Sequence, residues 1–203
     1  MGNGVIVHLI RHEKTDGNVK RKYVGWTDES IITKRQHFDV PIQTSEVFGS
    51  DLKRCMETAQ LYFPKAKYRS DKNLREIYFG DFEMKTYEQL KENSTYRTWI
   101  EEPTVITPPN GENFLAFKKR VLKSFQQIVC QNGQFTFIVH GGVIRTILSL
   151  FSPKVESFQQ LVVTHRTIYT LSWAQIEDVK EGRRCESLLV VPIMEKENLS
   201  STN

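Results

Sequence analysis

Apolar positions along the chain fall into two kinds of run. Residues 5–10 form an almost unbroken apolar stretch ended by charge, and residues 135–139 form a second one. Runs of this length read as strands buried on both faces of a largely parallel sheet. Arg11 and His12 follow the first run directly; His140, Gly141 and Gly142 follow the second. A shorter strand is expected over residues 46–50, with a polar exit at Asp51 through Arg54. The helix predicted next, over residues 52–62, must stop before Pro64, where the ring forbids continuation. After Gly111, the residues Phe114, Phe117, Val121, Phe125 and Ile128 recur at spacings of three and four, which places them on one face of a helix. A further apolar helix runs from Gly142 through Leu150. Residues 162–173 and 187–191 have β-rich composition, and residues 195–203 read as a frayed polar tail.

Alternating strands and helices imply an α/β fold, a three-layer sandwich around a mostly parallel central sheet. The chain's 203 residues, 39% of them hydrophobic, suffice for one core and leave little for a second. A single domain over residues 1–194 with a tail over 195–203 is therefore expected. In open sheets of this type ligands bind where strands end and helices begin. Three such exits carry Arg11 with His12, Asp51 through Arg54, and His140.

Charge narrows the partners. The formal net charge is only +4, and the basic residues are scattered. That favours a small anionic ligand over nucleic acid, which calls for a basic stripe or a recognisable reader motif. Cys55, Cys130 and Cys185 are far apart and never in a CxxC pair, so neither a zinc site nor a disulfide framework is indicated, and a reducing cytoplasm fits. The apolar run at residues 5–10 is too short to span a membrane and lacks the layout of a signal peptide. No metal or other cofactor is implied.

Metal-independent phosphoryl transfer needs cations on the phosphate oxygens, a nucleophile in line with phosphorus, and an acid for the departing oxygen. Arg11 and Arg54 can form the clamp, since a guanidinium binds phosphate through paired hydrogen bonds and stays charged. His12 and His140 supply imidazoles, one neutral to attack and one protonated to neutralise charge. Glu76, between Arg75 and Ile77, is the candidate acid. His8, His37 and His165 read as structural histidines, and Lys20, Arg21 and Lys22 as a solvated face.

The stretch Leu9-Ile10-Arg11-His12-Glu13-Lys14-Thr15, followed by Asn18, resembles the signature of the histidine phosphatase superfamily, the phosphoglycerate-mutase-like enzymes. Gly25-Trp26-Thr27-Asp28, Ser50-Asp51-Leu52-Lys53-Arg54, Leu74-Arg75-Glu76-Ile77-Tyr78-Phe79-Gly80, Gly111-Glu112 and Val139-His140-Gly141-Gly142 are similar to the family's later motifs, in the family's order. The resemblance implies His12 as the phosphorylated nucleophile and Glu76 as proton donor. Arg11, Arg54 and His140 are implied as the phosphate pocket, with Thr15, Asn18, Gly25 and Gly141 also near the phosphate. Compactness and the pattern around residues 14–28 and 74–84 resemble bacterial phosphatases of the α-ribazole phosphatase-like and broad-specificity type more than the longer mutases. A phosphatase acting on a small phosphorylated metabolite is the reading this supports; a mutase-type transfer is the alternative.

Two departures from the family pattern matter. Glu13 stands where relatives usually carry glycine, so a carboxylate is expected close to the phosphate, lowering its affinity unless Lys14 offsets it. The same carboxylate keeps open a weakly active or non-catalytic phosphate-binding module. The segment between Ile32 and Val47 is too short for the amphipathic helix that relatives carry there, and Pro41 interrupts it. Apolar sheet surface would be exposed unless another element or a second subunit fills the gap, so a homodimer is one expectation.

Overall fold

The computed structural model describes residues 4–33 and 37–196. Strand β1 (Val5–Arg11) lies in the interior of a six-stranded sheet. It pairs in parallel with β5 (Gly133–Val139) and antiparallel with β6 (Thr167–Trp173). Beyond β5 come β3 (Glu46–Gly49) and β4 (Lys67–Ser70), both parallel; beyond β6 lies β7 (Ser187–Pro192), antiparallel to it. The sheet is thus mostly parallel, with β6 alone reversed among these six strands.

Side chains alternate across this sheet, as the period of two requires. Val5, Val7 and Leu9 of β1, Phe137 and Val139 of β5, and Leu171 and Trp173 of β6 enter one core. That core is closed by helices α5 (Phe114–Ile128) and α6 (Gly141–Phe151), whose Phe117, Val121, Phe125, Ile144 and Ile147 are buried. Ile10, Val47, Ile138 and Ile168 point to the opposite face, where Cys55, Ala59 and Tyr62 of helix α2 (Lys53–Tyr62) cover them. Two helical layers therefore enclose the sheet, in the phosphoglycerate-mutase-like arrangement expected. No helix among the described residues is long and apolar enough to cross a membrane.

A third, aromatic cluster lies apart from both layers. Phe82 joins Leu90 of α3 (Tyr87–Leu90) and Tyr96 and Trp99 of α4 (Ser94–Glu101), against which Tyr23 and Phe79 pack. The hydroxyls of Tyr23 and Tyr96 lie 2.6 Å apart, so the one polar group each ring brings inward is satisfied.

One open expectation is resolved and two need correction. The apolar face left by the missing helix is covered: Phe38 of β2 (Phe38–Asp39), Val40, Ile42 and Ile193 pack against the cluster beneath α2. Glu195, expected in the tail, belongs to β8 (Met194–Glu195), which pairs with β2; residues 197–203 of that tail lie outside the described residues. The strand expected over residues 162–173 begins only at Thr167, because Arg166 takes a positive φ of 55° that ends the ladder.

The core facing α5 is the larger of the two, and Phe125 sits at its centre, fully buried between Phe137 and Phe151. Phe125→Ala should cost about 3–5 kcal/mol of unfolding free energy in urea titration. A cost below about 1 kcal/mol would show that this layer does not carry the fold.

Candidate active site

The site is assembled at the C-terminal ends of β1, β3 and β5. Arg11 ends β1 and His12 follows it, its amide donating to the carbonyl of Val139 at 3.0 Å and so extending the β1–β5 pairing by one residue. His140 then leaves β5 as the N-cap of α6. The two imidazoles meet edge to face, with ring centroids 5.0 Å apart.

Hydrogen bonds fix both tautomers. His12 Nδ1 lies 2.7 Å from the carbonyl oxygen of Glu13. A carbonyl only accepts, so Nδ1 carries the proton and Nε2 keeps its lone pair. His140 Nδ1 accepts from Arg54 Nε at 3.3 Å, which assigns the remaining proton to Nε2, 2.7 Å from Ser50 Oγ. Burial, followed by the guanidiniums of Arg54 and Arg11, holds His12 well below the ordinary histidine range. Burial, then Arg54, then His12, does the same for His140. His140 is therefore a neutral donor here, where charge had been expected.

Arg54 sits on the first turn of α2 and is fully buried. Its Nη1 donates to the carbonyl of Thr27 at 2.9 Å and its Nη2 to that of Gly25 at 2.6 Å. Each Nη nitrogen has a second proton. Arg11 donates from Nη1 to the carbonyl of Val163 at 3.0 Å, while its buried Nε has no hydrogen-bond partner.

Glu76 approaches from the far side. Its Oε2 accepts from the amide of Gly142 at 2.9 Å and its Oε1 from that of Ile77 at 3.0 Å. A Cβ on Gly142 would collide with the carboxylate, so only glycine permits this approach. Arg120, on α5, holds the loop from behind by donating to the carbonyls of Asn73, Arg75 and Glu76. Glu112 in turn binds the Arg120 guanidinium, with Nε 2.6 Å from Oε1, which explains why the Gly111-Glu112 motif accompanies Glu76.

Two clefts open beside Arg11. One, of about 380 Å³, is lined by Arg11, Glu76, Gly141 and Gly142 at its base and by Tyr23, Phe79, Trp99, Phe114 and Phe158 on its walls. The other, of about 530 Å³, is polar and lined by Arg11, Glu13, Lys14, Thr33, His165 and Arg166, with the backbone of 163–164.

A family model for the histidine phosphatase superfamily (branch 1) matches residues 7–182. The chain belongs to this superfamily. Among curated relatives it is 28% identical over 189 residues to the adenosylcobalamin/alpha-ribazole phosphatase of Salmonella typhimurium, covering 86% of this chain and 90% of that one. It is 26% identical over 181 residues to phosphoglycerate mutase-like protein 4 of Arabidopsis thaliana, covering 80% and 78%. The crystal structure of the alpha-ribazole phosphatase from Shigella flexneri superposes with a TM-score of 0.69 at 25% identity, covering 84% of this chain and 92% of that one. The enzyme class is accordingly that of the phosphatases, phosphoric monoester hydrolases.

Within this histidine phosphatase the structure brings together Arg11, His12, Arg54, Glu76, His140 and Gly141. It uses other expected residues differently. Thr15 and Asn18 cap each other reciprocally at α1 (Asp16–Val19). Gly25 offers its carbonyl to Arg54, which makes it a support of the clamp. Glu13 is buried, and its carboxylate is taken by Tyr62 and Thr33 and by Arg166, whose Nε lies 3.0 Å away. Burial alone pushes that carboxyl up, but the hydrogen bonds from Tyr62, Arg166 and Thr33 outweigh it and hold it below its usual value. The compensating cation is thus Arg166, where Lys14 had been expected.

Three further residues lie close to this site. His165, taken as structural, places Nδ1 2.7 Å from the carbonyl of His12, with its ring 5.7 Å from the His12 ring. Arg145 lines the aromatic cleft with a buried, unpartnered Nε, its guanidinium 5.6 Å from the Phe158 ring centroid. It is the single charged residue of α6, an anomaly visible in an otherwise apolar helix. Arg120 interrupts the apolar stripe of α5 three residues after Phe117, the same kind of signal.

Burial lowers His8 as well, and His165 is lowered to about 4, again by burial first and then by Arg11. All four histidines therefore bind protons more weakly folded than unfolded, where the value is about 6.5. Below that pH the unfolded chain takes up protons that the native chain refuses, so stability falls as pH falls. Each such histidine contributes a slope on the order of 1 kcal/mol per pH unit once the pH is below the unfolded value. Urea midpoints measured from pH 7.5 down to 5.5 should decline, with most of the loss below pH 6.5; a flat profile would contradict the neutral assignments.

Proposed function

We propose that this enzyme hydrolyses the phosphomonoester of a small metabolite through a phosphohistidine on His12, with Glu76 as general acid and base. The observation that carries the reading is the lone pair of His12 Nε2, left free by the Nδ1–H bond to Glu13 O and flanked by His140, Arg11 and Arg54. A nitrogen nucleophile must be unprotonated, and burial beside two guanidiniums keeps it so.

In the first step Nε2 attacks phosphorus as the ester P–O bond breaks, and protonated Glu76 gives its proton to the departing oxygen. The resulting carboxylate then takes a proton from water as that water attacks phosphorus, the P–N bond breaks, and inorganic phosphate leaves. Arg11 Nε and the remaining protons on Arg54 Nη1 and Nη2 serve the equatorial oxygens, and His140 adds a neutral donor. Because Glu76 lies at the base of the aromatic cleft, the leaving group occupies that cleft. Its apolar walls suit a leaving group with a flat or hydrophobic body, in keeping with relatives named alpha-ribazole phosphatases.

Rapid quenching with phosphorus-labelled substrate should trap protein-bound label that acid releases and alkali preserves, and His12→Ala should abolish it. Label that survives acid, or that persists in His12→Ala, would overturn the route.

The acid is tested through leaving-group dependence. Glu76→Gln should lower kcat/KM for an alkyl phosphate at least 100-fold, within the usual span of general acid catalysis. Nitrophenyl phosphate, whose leaving oxygen is stable as an anion, should lose less than about 10-fold, since it needs little protonation. Equal losses would assign Glu76 to binding or to loop structure.

A further inference from the structure

Three consecutive residues at the end of β1 each hold one residue of the segment 163–166. Arg11 Nη1 donates to the carbonyl of Val163 at 3.0 Å. The carbonyl of His12 accepts from His165 Nδ1 at 2.7 Å. The carboxylate of Glu13 accepts from Arg166, Nε to Oε1 at 3.0 Å and Nη2 to Oε2 at 3.4 Å.

Of these links only the last is an ion pair, and its carboxylate is buried. Glu13 is almost wholly buried, with a side-chain exposure of 2%, against 35% for Arg166. Arg166 is also one of the few non-glycine residues among those described that take a left-handed backbone conformation, with a φ of 55°. A non-glycine residue in the left-handed region persists where its surroundings over-determine it. Here Glu13 holds the guanidinium on one side, Glu195 Oε2 holds Nη1 at 3.0 Å, and the ring of Phe38 lies beneath it with its centroid 4.8 Å away.

The consequence reaches Arg11. Val163 claims Nη1 and thereby sets the roll of the guanidinium about its own plane. Nε is left buried and without a partner, close beside Gly141 at the start of α6. Were residues 163–166 to shift, that Nε would lose its aim even though Arg11 itself was untouched.

We propose that Glu13 and Arg166 are a positioning pair: their ion pair fixes residues 163–166 against the end of β1 and so aims the guanidinium of Arg11 at the substrate phosphate. The proposal rests on the reading of Arg11 as a phosphate ligand given above. It reverses the sign expected from the sequence, where a carboxylate next to the nucleophile should weaken phosphate binding. Removing the carboxylate instead removes the anchor.

The test is calorimetric titration of inorganic phosphate into the folded protein, which needs no turnover. Glu13→Gln keeps the size of the side chain, and Arg166→Gln changes a partly exposed residue, so the second carries the comparison if the first fails to fold. Each should bind phosphate on the order of 10-fold more weakly than wild type, and the double variant no more weakly than either single one, because both remove the same link. Arg166→Lys should recover part of the loss by restoring the charge. In an Arg11→Ala background, Glu13→Gln should have no further effect, which a merely structural role would not predict.

Unchanged or tighter phosphate binding in the folded single variants overturns the proposal, as does an equal loss with and without Arg11, or no phosphate binding by wild type. Phosphate release from phenyl phosphate by wild type is scored separately. Its failure would sink the hydrolase reading while leaving the binding comparison intact.

Discussion

Arg54 sets the terms for everything around it. A guanidinium with no exposed surface has been taken out of water, and a buried charge is costly unless its protons are satisfied. Here no carboxylate among the described residues lies within ion-pair distance of it, and the partners are the carbonyls of Gly25 and Thr27 and the ring nitrogen of His140. Dipoles of this kind satisfy hydrogen bonds without cancelling charge, so the positive field persists inside the site. Burial first, and then that field, keeps the neighbouring imidazoles neutral, and neutrality is what leaves a lone pair on His12 Nε2. It also pins residues 25–27 to α2, which connects the loop after α1 to the sheet's exit.

Much of this was legible in the chain, because strand exits announce themselves. An apolar run that ends at Arg11-His12, and another that ends at His140-Gly141, give both the buried strands and the place where they open. The helix of Phe114 to Ile128 was equally plain from its period. Arg166 was not: its importance comes from a partner 153 positions away, and a β-rich neighbourhood made it look like part of a strand. Thr15 and Asn18 carry a second, local signal. Their spacing of three is that of a reciprocal helix cap, which the Thr15 hydroxyl and the Asn18 side-chain carbonyl form with each other's backbone amides.

The short segment between Ile32 and Val47 shows how a fold absorbs a lost element. A helix covering one sheet face can be replaced by anything apolar that reaches the same surface. Here β2 and β8 form a two-stranded ribbon, and Phe38, Val40, Ile42 and Ile193 bring side chains to the cluster beneath α2. This ribbon also carries Glu195, which binds Arg166. The packing on the outside of the sheet is therefore joined to Glu13, the neighbour of His12, by two hydrogen-bonded side chains.

That connection makes sense of having a glutamate beside the nucleophile. With glycine at position 13, Tyr62 and Thr33 would face an empty space, and Arg166 would lose the carboxylate that holds its guanidinium from the β1 side. With glutamate, the carboxylate closes the gap between α2, the start of the shortened segment and the loop before β6. The charge that seemed misplaced is buried, bonded to one cation and two hydroxyls, and separated electrically from the phosphate by the partner that neutralises it. Lys14, whose backbone continues the chain away from this contact, is left with only its place on the rim of the polar cleft. The Glu13 carboxylate and the ribbon that follows the short segment thus meet at the same arginine, which binds Glu13 on one side and Glu195 on the other.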